Sequence, residues 1–150
     1  MTKKIVLVTG GFDPLHSGHI NYLESAKAVG DLLLVGLNSD QWLVRKKGDY
    51  LLNYFERSTI ITALHMVDEI IKYDDSDDTS INAIRKTRNL YPDSQIIFCN
   101  GGDRSKSNTP EYNYFNDDKN IVFKFNIGGC KTNSSSTILS RWKNGKNKIK

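Results

Sequence analysis

Apolar residues along the chain fall into short dense runs, separated by segments in which they recur every three or four positions. Residues 5–8, 32–37, 69–73, 95–99 and 120–126 are runs of strand length. Their near-continuous apolar character predicts strands covered on both faces. Between the first two runs, Ile20, Leu23, Ala26 and Ala28 keep helical spacing up to Gly30, where a left-handed helix stop is expected. Residues 54–66 predict a helix that turns Ile60, Ile61 and Leu64 toward a core, with Val67 just beyond; His65 on it is read as structural. Asp78, Thr79 and Ser80 offer caps to a further helix carrying Ile81, Ala83, Ile84 and Leu90, which Pro92 and Asp93 break. A short helix is expected near residues 111–115, and Ser134, Ser135, Ser136 and Thr137 lead into a capped terminal helix with Ile138, Leu139 and Trp142. Strands alternating with helices predict an α/β fold: a Rossmann-like, doubly wound, five-stranded parallel sheet with helices on both faces. The expectation is one domain over residues 1–142, with residues 143–150 a basic, disordered tail.

In such a sheet, ligands bind beyond the carboxyl ends of the strands, where the strand order reverses. Three polar stretches should therefore meet: Thr9 to His19, Asn38 to Gly48, and Asn100 to Arg104. The first, GGFDPLHSGHI from Gly10 to Ile20, carries the clearest chemistry. Gly10, Gly11 and Gly18 let main chain approach a guest closely. A helix start offers backbone N–H groups and a positive dipole end to an anion. His16 and His19, three residues apart on the first turn, can face one ligand, for which a polyphosphate is the natural candidate.

Charge and cysteine content narrow the partners. The formal charge of +4 comes largely from the tail RWKNGKNKIK, while acids clump at Asp74, Asp75, Asp77 and Asp78. No basic stripe is interleaved with aromatic residues, so nucleic acid is not an expected partner. No apolar run approaches membrane-spanning length, and the N-terminal MTKKIVLVTGG reads as a first strand rather than a signal peptide. Cys99 and Cys130 lack the spacing of a disulfide framework or a zinc site, which fits a cytoplasmic setting.

The stretch GGFDPLHSGHI resembles the HxGH signature of the nucleotidyltransferase superfamily, and NSSSTIL at residues 133–139 is similar to its second signature, which opens the last helix. NSDQWLVRKKG at 38–48, FER at 55–57, VDEII at 67–71 and NGGDR at 100–104 extend the likeness from about Lys3 to Trp142. Within the cytidylyltransferase-like family they resemble cytidylyltransferases acting on glycerol phosphate and adenylyltransferase domains acting on heptose phosphate. The resemblance implies transfer of CMP or AMP from CTP or ATP to a small phosphorylated sugar or polyol by direct in-line attack, with release of pyrophosphate. It implies His16 and His19 on the α- and β-phosphates, Ser135, Ser136 and Thr137 on the β- and γ-phosphates, and Arg57 on the triphosphate. Thr9, Gly10, Gly11, Phe12, Asp13 and Gly18 would line the nucleotide, and Gly102, Asp103 and Arg104 would contact the nucleoside.

Arg45, Lys46 and Lys47, closed by Gly48, read as a basic loop clamping the acceptor phosphate or the transferred one. Lys47 matches the heptose-type pattern and is preferred, while Lys46 matches the glycerol-type lysine by its distance from Asp40. Mg²⁺ is implied through the triphosphate, with Asp13 as an outer ligand through water or as an organiser of the histidine loop. A homodimer is implied as well. Arg104 replaces an aromatic residue usual in both relatives, which leaves base and acceptor open. The competing reading is a nucleotide-binding regulatory or interaction module without turnover.

Overall fold

A computed structural model of the chain describes residues 2–129 and 134–148; Cys130 and Asn133 lie outside them. Five strands, β1 (Lys4–Gly10), β2 (Leu32–Leu37), β3 (Glu69–Lys72), β4 (Gln95–Cys99) and β5 (Ile121–Lys124), form one sheet in the order β3-β2-β1-β4-β5. Every pairing is parallel, with Val6 opposite both Leu33 and Ile97. Successive strand residues point to opposite faces, so β1 feeds two cores at once. Val6 and Val8 pack with Leu33, Val35, Ile97 and Cys99 beneath α1 (Ser17–Lys27) and α3 (Tyr54–Thr62), through Leu23, Ala26 and Ile61. Ile5 and Leu7 pack with Leu34, Ile96 and Phe98 beneath α4 (Ile81–Leu90), through Ala83 and Ile84. The expected fold class is the observed one, and the reversal of strand order falls between β1 and β4.

Several local expectations change. Residues 40–47, read as part of a loop, form α2 (Asp40–Lys47): Ser39 Oγ accepts the Trp42 N–H at 3.1 Å, and Gly48 closes the helix at φ 88°. Only a residue tolerant of the left-handed region fits that stop. Gly30 answers to a different constraint. It lies beyond the α1 cap at Ala28, and a Cβ there would meet the Val6 side chain and stand 2.9 Å from the Lys4 carbonyl oxygen. Close approach of the α1 exit to β1, not a left-handed stop, requires glycine. The helix expected over 54–66 ends at Thr62, leaving His65 exposed in a turn. The short helix α5 (Pro110–Phe115) follows a 3-10 turn at Lys106–Asn108. Finally, α6 (Ser135–Lys148) runs past Trp142, so residues 143–148 are helical where a disordered tail was expected. Good helix formers spaced along RWKNGKNK, with no proline, allow the continuation. Among the described residues no helix is long and apolar enough to cross a membrane.

Candidate active site

Beyond the carboxyl ends of the strands lies a cavity of about 460 Å³, a volume suited to a small-molecule guest. One wall is the turn from β1 into α1, with Thr9, Gly10, Gly11 and Phe12 leading to His16, Gly18 and His19. The two histidines build the helix start themselves. His16 is the N-cap; its Nδ1 accepts the Gly18 N–H at 3.1 Å, and His19 Nδ1 accepts the His16 N–H at 3.3 Å. A main-chain donor at Nδ1 places the proton of each neutral ring on Nε2. The rings stack with centroids 3.8 Å apart and 25° between planes, and the Phe12 ring meets His19 edge-on at 5.0 Å. Capping, stacking and the Phe12 edge fix both imidazoles before any ligand arrives.

The start of α6 forms the facing wall. Ser134, Ser135 and Ser136 line the cavity, and Ser135 Oγ donates to the Pro14 carbonyl at 2.9 Å, tying the last helix to the histidine loop across 121 residues. The remaining lining comes from both halves of the sheet. Asn38 and Tyr73 follow β2 and β3, Asn100 to Arg104 follow β4, and Ile127 to Gly129 follow β5. Strand order alone brings these sequence-distant ends together.

Residues 7–137 match the family described as cytidylyltransferase-like. The chain belongs to that family. Among its cytidylyltransferase-like relatives, Bifunctional protein HldE of Citrifermentans bemidjiense is 41% identical over 105 residues, covering 69% of this chain and 20% of the relative. The HldE of Helicobacter pylori strain P12 is 41% identical over 103 residues, covering 67% of this chain and 21% of the relative. The chain thus spans about a fifth of the length of these relatives. The crystal structure of a lipopolysaccharide core biosynthesis protein from Thermoplasma volcanium has a TM-score of 0.66 at 26% identity, covering 86% of this chain and 99% of that one. A putative nicotinate-nucleotide adenylyltransferase from Vibrio parahaemolyticus shares the fold, with a TM-score of 0.67 at 18% identity over 96% of this chain and 89% of that one.

Within the cytidylyltransferase-like site, the residues expected from the sequence separate into two groups. On the cavity wall stand Thr9, Gly10, Gly11, Phe12, His16, Gly18, His19 and Lys47, together with Gly102, Asp103, Arg104, Ser135 and Ser136. Arg57, expected on the triphosphate, is elsewhere. It is 1% exposed and donates to the carbonyls of Leu52, Gly11 and Asn38 and, at 2.7 Å, to Asp40 Oδ1. Those four bonds occupy most of its five donors, so Arg57 positions loops instead of touching a guest. Asp13 likewise leaves the metal-ligand role: it is 2% exposed, and its two oxygens accept the main-chain N–H groups of Leu51 and Leu52 at 2.6 and 2.9 Å. The geometry is that of an organiser holding the entry to α3 against the histidine loop.

Arg45 and Lys46 do not line the cavity. Arg45 donates to the Asp75 carbonyl at 2.9 Å and to Asp78 Oδ1, and Lys46 Nζ lies 3.4 Å from Asp78 Oδ2. Arg45, then Lys46, holds the Asp78 carboxyl below the usual carboxylate range. Asp78 pins the end of α2 and leaves Lys47 as the member of the basic trio on the wall. Thr137 does not line the cavity: it is exposed, and its N–H donates to Ser134 Oγ at 3.1 Å, while Ser134 stands on the wall.

Two contributions escaped the sequence reading, and a third, Asn100, was read only as part of the stretch beyond β4. Ser80, expected as a helix cap, makes no side-chain cap; its Oγ instead meets Thr9 Oγ1 at 2.7 Å on the cavity floor. Tyr73 accepts the Asn38 amide at 2.8 Å, and burial pushes its hydroxyl pKa up to about 12, with Ser80, Thr9 and Asn38 opposing through hydrogen bonds. Asn100 is 9% exposed, and its Nδ2 is a buried donor without a partner among the described residues. A buried amide unsatisfied at a cavity wall matches a guest's acceptor atom.

Burial also raises the Tyr22 hydroxyl, and it pushes the Cys99 thiol up to about 12. Each of these groups holds its proton more tightly folded than unfolded. Their stabilisation is complete below the unfolded values of 9.0 for the thiol and 10.0 for tyrosine, and is lost as pH climbs toward the folded values. Thermal melts should therefore show a falling midpoint from about pH 9 upward, and Tyr73→Phe should flatten part of that decline.

For a divalent cation, the described residues hold no cluster of three or more His, Cys, Asp or Glu side chains. The wall's hydroxyls, imidazoles and main-chain donors suit a cation that arrives on phosphate oxygens with its waters, the usual preference of Mg²⁺.

Proposed function

We propose that this chain is a nucleotidyltransferase that moves CMP or AMP from CTP or ATP to a small phosphorylated sugar or polyol. One observation carries the reading: the imidazole pair at the start of α1 and the serines at the start of α6 line one cavity and are joined by the Ser135–Pro14 hydrogen bond. Two helix N-termini and two fixed imidazoles aimed at one space suit a polyphosphate. A phosphate oxygen of the acceptor forms the new bond to the α-phosphorus while the bond to the bridging oxygen breaks, and pyrophosphate leaves with the electron pair. In this reading the Nε2–H groups of His16 and His19 donate to the oxygens that gain charge on the α- and β-phosphates, and the Ser135 main-chain N–H with Ser136 holds the β- and γ-phosphates. Asn100 Nδ2, with Gly102, Asp103 and Arg104, meets the nucleoside. Mg²⁺ carried by the triphosphate would neutralise charge on the phosphate oxygens. Catalysis is then alignment and charge stabilisation, with no covalent enzyme intermediate. The same reading places the enzyme in the cytoplasm as a homodimer, which its elution volume on a sizing column would check.

The test is pyrophosphate release with each of the four nucleoside triphosphates against a panel of sugar and polyol phosphates. Turnover is expected with CTP or ATP. Tight triphosphate binding without turnover for any pair would replace the enzyme with a nucleotide-binding module. Lys47→Ala should raise the KM for the acceptor about tenfold or more, and that for the triphosphate much less, because a single charge on the acceptor phosphate is lost. Equal losses for both substrates would remove Lys47 from the clamp role.

A further inference from the structure

Resting on the nucleotidyltransferase reading, we propose that Glu111 is a specificity-determining residue that selects an acceptor carrying free hydroxyl groups next to its phosphate, by accepting a hydrogen bond from one of them. Glu111 sits on α5 yet reaches the start of α4, where its Oε1 accepts the Ser80 N–H at 2.7 Å. It is 7% exposed and lines the cavity, and no hydrogen bond from the described residues reaches its Oε2. A carboxylate oxygen held this way can only accept, and it repels phosphate, so its partner in the guest is a donor away from the phosphates. The surroundings supply the complementary half. The Thr9 and Ser80 hydroxyls, 2.7 Å apart, can each donate or accept. The Tyr73 hydroxyl follows the end of β3 on the same wall. One fixed acceptor beside reversible hydroxyls fits a polyol, whose own hydroxyls must both donate and accept. An ammonium-bearing acceptor would instead call for several acceptors or aromatic faces around one point. Thr9, Ser80 and Tyr73 bring the ends of β1 and β3 to this wall, Glu111 reaches it from α5, and Lys47 at the end of α2 lines the same cavity.

The experiment is calorimetric titration of the intact chain with glycerol 3-phosphate, glucose 1-phosphate and mannose 6-phosphate, each compared with ethyl phosphate, which has the phosphate but no hydroxyl. At least one hydroxylated ligand should bind about tenfold or more tightly than ethyl phosphate, the scale of one hydrogen bond to a charged group. Glu111→Gln keeps an oxygen for the Ser80 N–H but turns the other position into a donor, and it should erase that ratio. Ser80→Ala, which retains the main-chain N–H, should reduce it about threefold. Affinity for a non-hydrolysable CTP or ATP analogue should stay within about twofold in both variants. Ethyl phosphate binding as tightly as every hydroxylated ligand, binding by none of the four, or a ratio that survives Glu111→Gln overturns the proposal. So does an equal loss of triphosphate analogue binding in Glu111→Gln, which would mark a merely structural clamp on α4. If the wild-type chain binds neither triphosphate analogue, the nucleotidyltransferase reading fails, while the hydroxyl preference is still read from the four monophosphates.

Discussion

His16→Asn is expected to slow pyrophosphate release about 100- to 1,000-fold while the melting temperature moves by only a few degrees. The separation of the two effects follows from the double duty of the side chain. His16 caps α1 through Nδ1, and an Asn oxygen is among the best replacements for that bond to the Gly18 N–H. What Asn cannot supply is the Nε2–H donor on the far side of the ring. Preorganised donors of this kind are worth about 3–4 kcal/mol when charge develops on the oxygen they face. His16→Ala should lose the cap as well, at about 1 kcal/mol of stability. Single-turnover measurement of pyrophosphate release, paired with thermal melts, separates the variants. The deficit should fall on kcat more than on the KM for the triphosphate, as for an interaction that strengthens in the transition state. Asn and Ala variants that turn over at the wild-type rate would remove the histidine from the chemistry altogether.

The contrast between what the sequence made visible and what it hid follows the distance over which each feature is determined. The strand–turn–histidine–helix unit is local: dense apolar residues, two glycines and a spacing of three set its geometry within fifteen residues, from Ile5 to His19. The serine cluster at the start of α6 is equally local, although Ser134 lines the cavity and Thr137, expected on the phosphates, does not. The α2 helix was hidden for want of a strong apolar stripe, with Leu43 its one buried residue. Ser39 three residues before Trp42, with Gly48 at the exit, was the signal that would have found it. The division of labour among Arg45, Lys46 and Lys47 could not be read locally, since Asp78, more than thirty residues away, decides it. Glu111 and Asn100 are the extreme cases. One is defined by a main-chain amide on another helix, the other by a missing partner, and neither leaves a periodic trace.

Arg57→Ala is expected to produce the largest loss of stability of any single substitution considered, roughly 3–5 kcal/mol, or about 10 °C in the melting temperature for a chain of this length. The guanidinium is fully buried, and it gathers three carbonyls from separate segments: Gly11 after β1, Asn38 after β2 and Leu52 before α3. Removing it leaves these acceptors without their donor, the buried Asn38 carbonyl above all, at a desolvation cost of up to about 1–3 kcal/mol each. The Asp40 carboxylate also loses its partner, but its side chain is 28% exposed and can recover hydration, so the carbonyls dominate the loss. Arg57→Lys should recover little. An ammonium cannot reproduce a planar fork that serves Leu52 through Nε, Gly11 and Asn38 through Nη1, and Asp40 through Nη2. The outcome also discriminates between two roles for the residue. A direct triphosphate ligand would lose triphosphate affinity, and part of the salt dependence of binding, with the fold intact. A positioning residue loses folding stability first, and at temperatures where the variant is still folded it should retain the wild-type salt dependence. Urea titration for stability, alongside triphosphate binding at two ionic strengths, reads both quantities on the same protein.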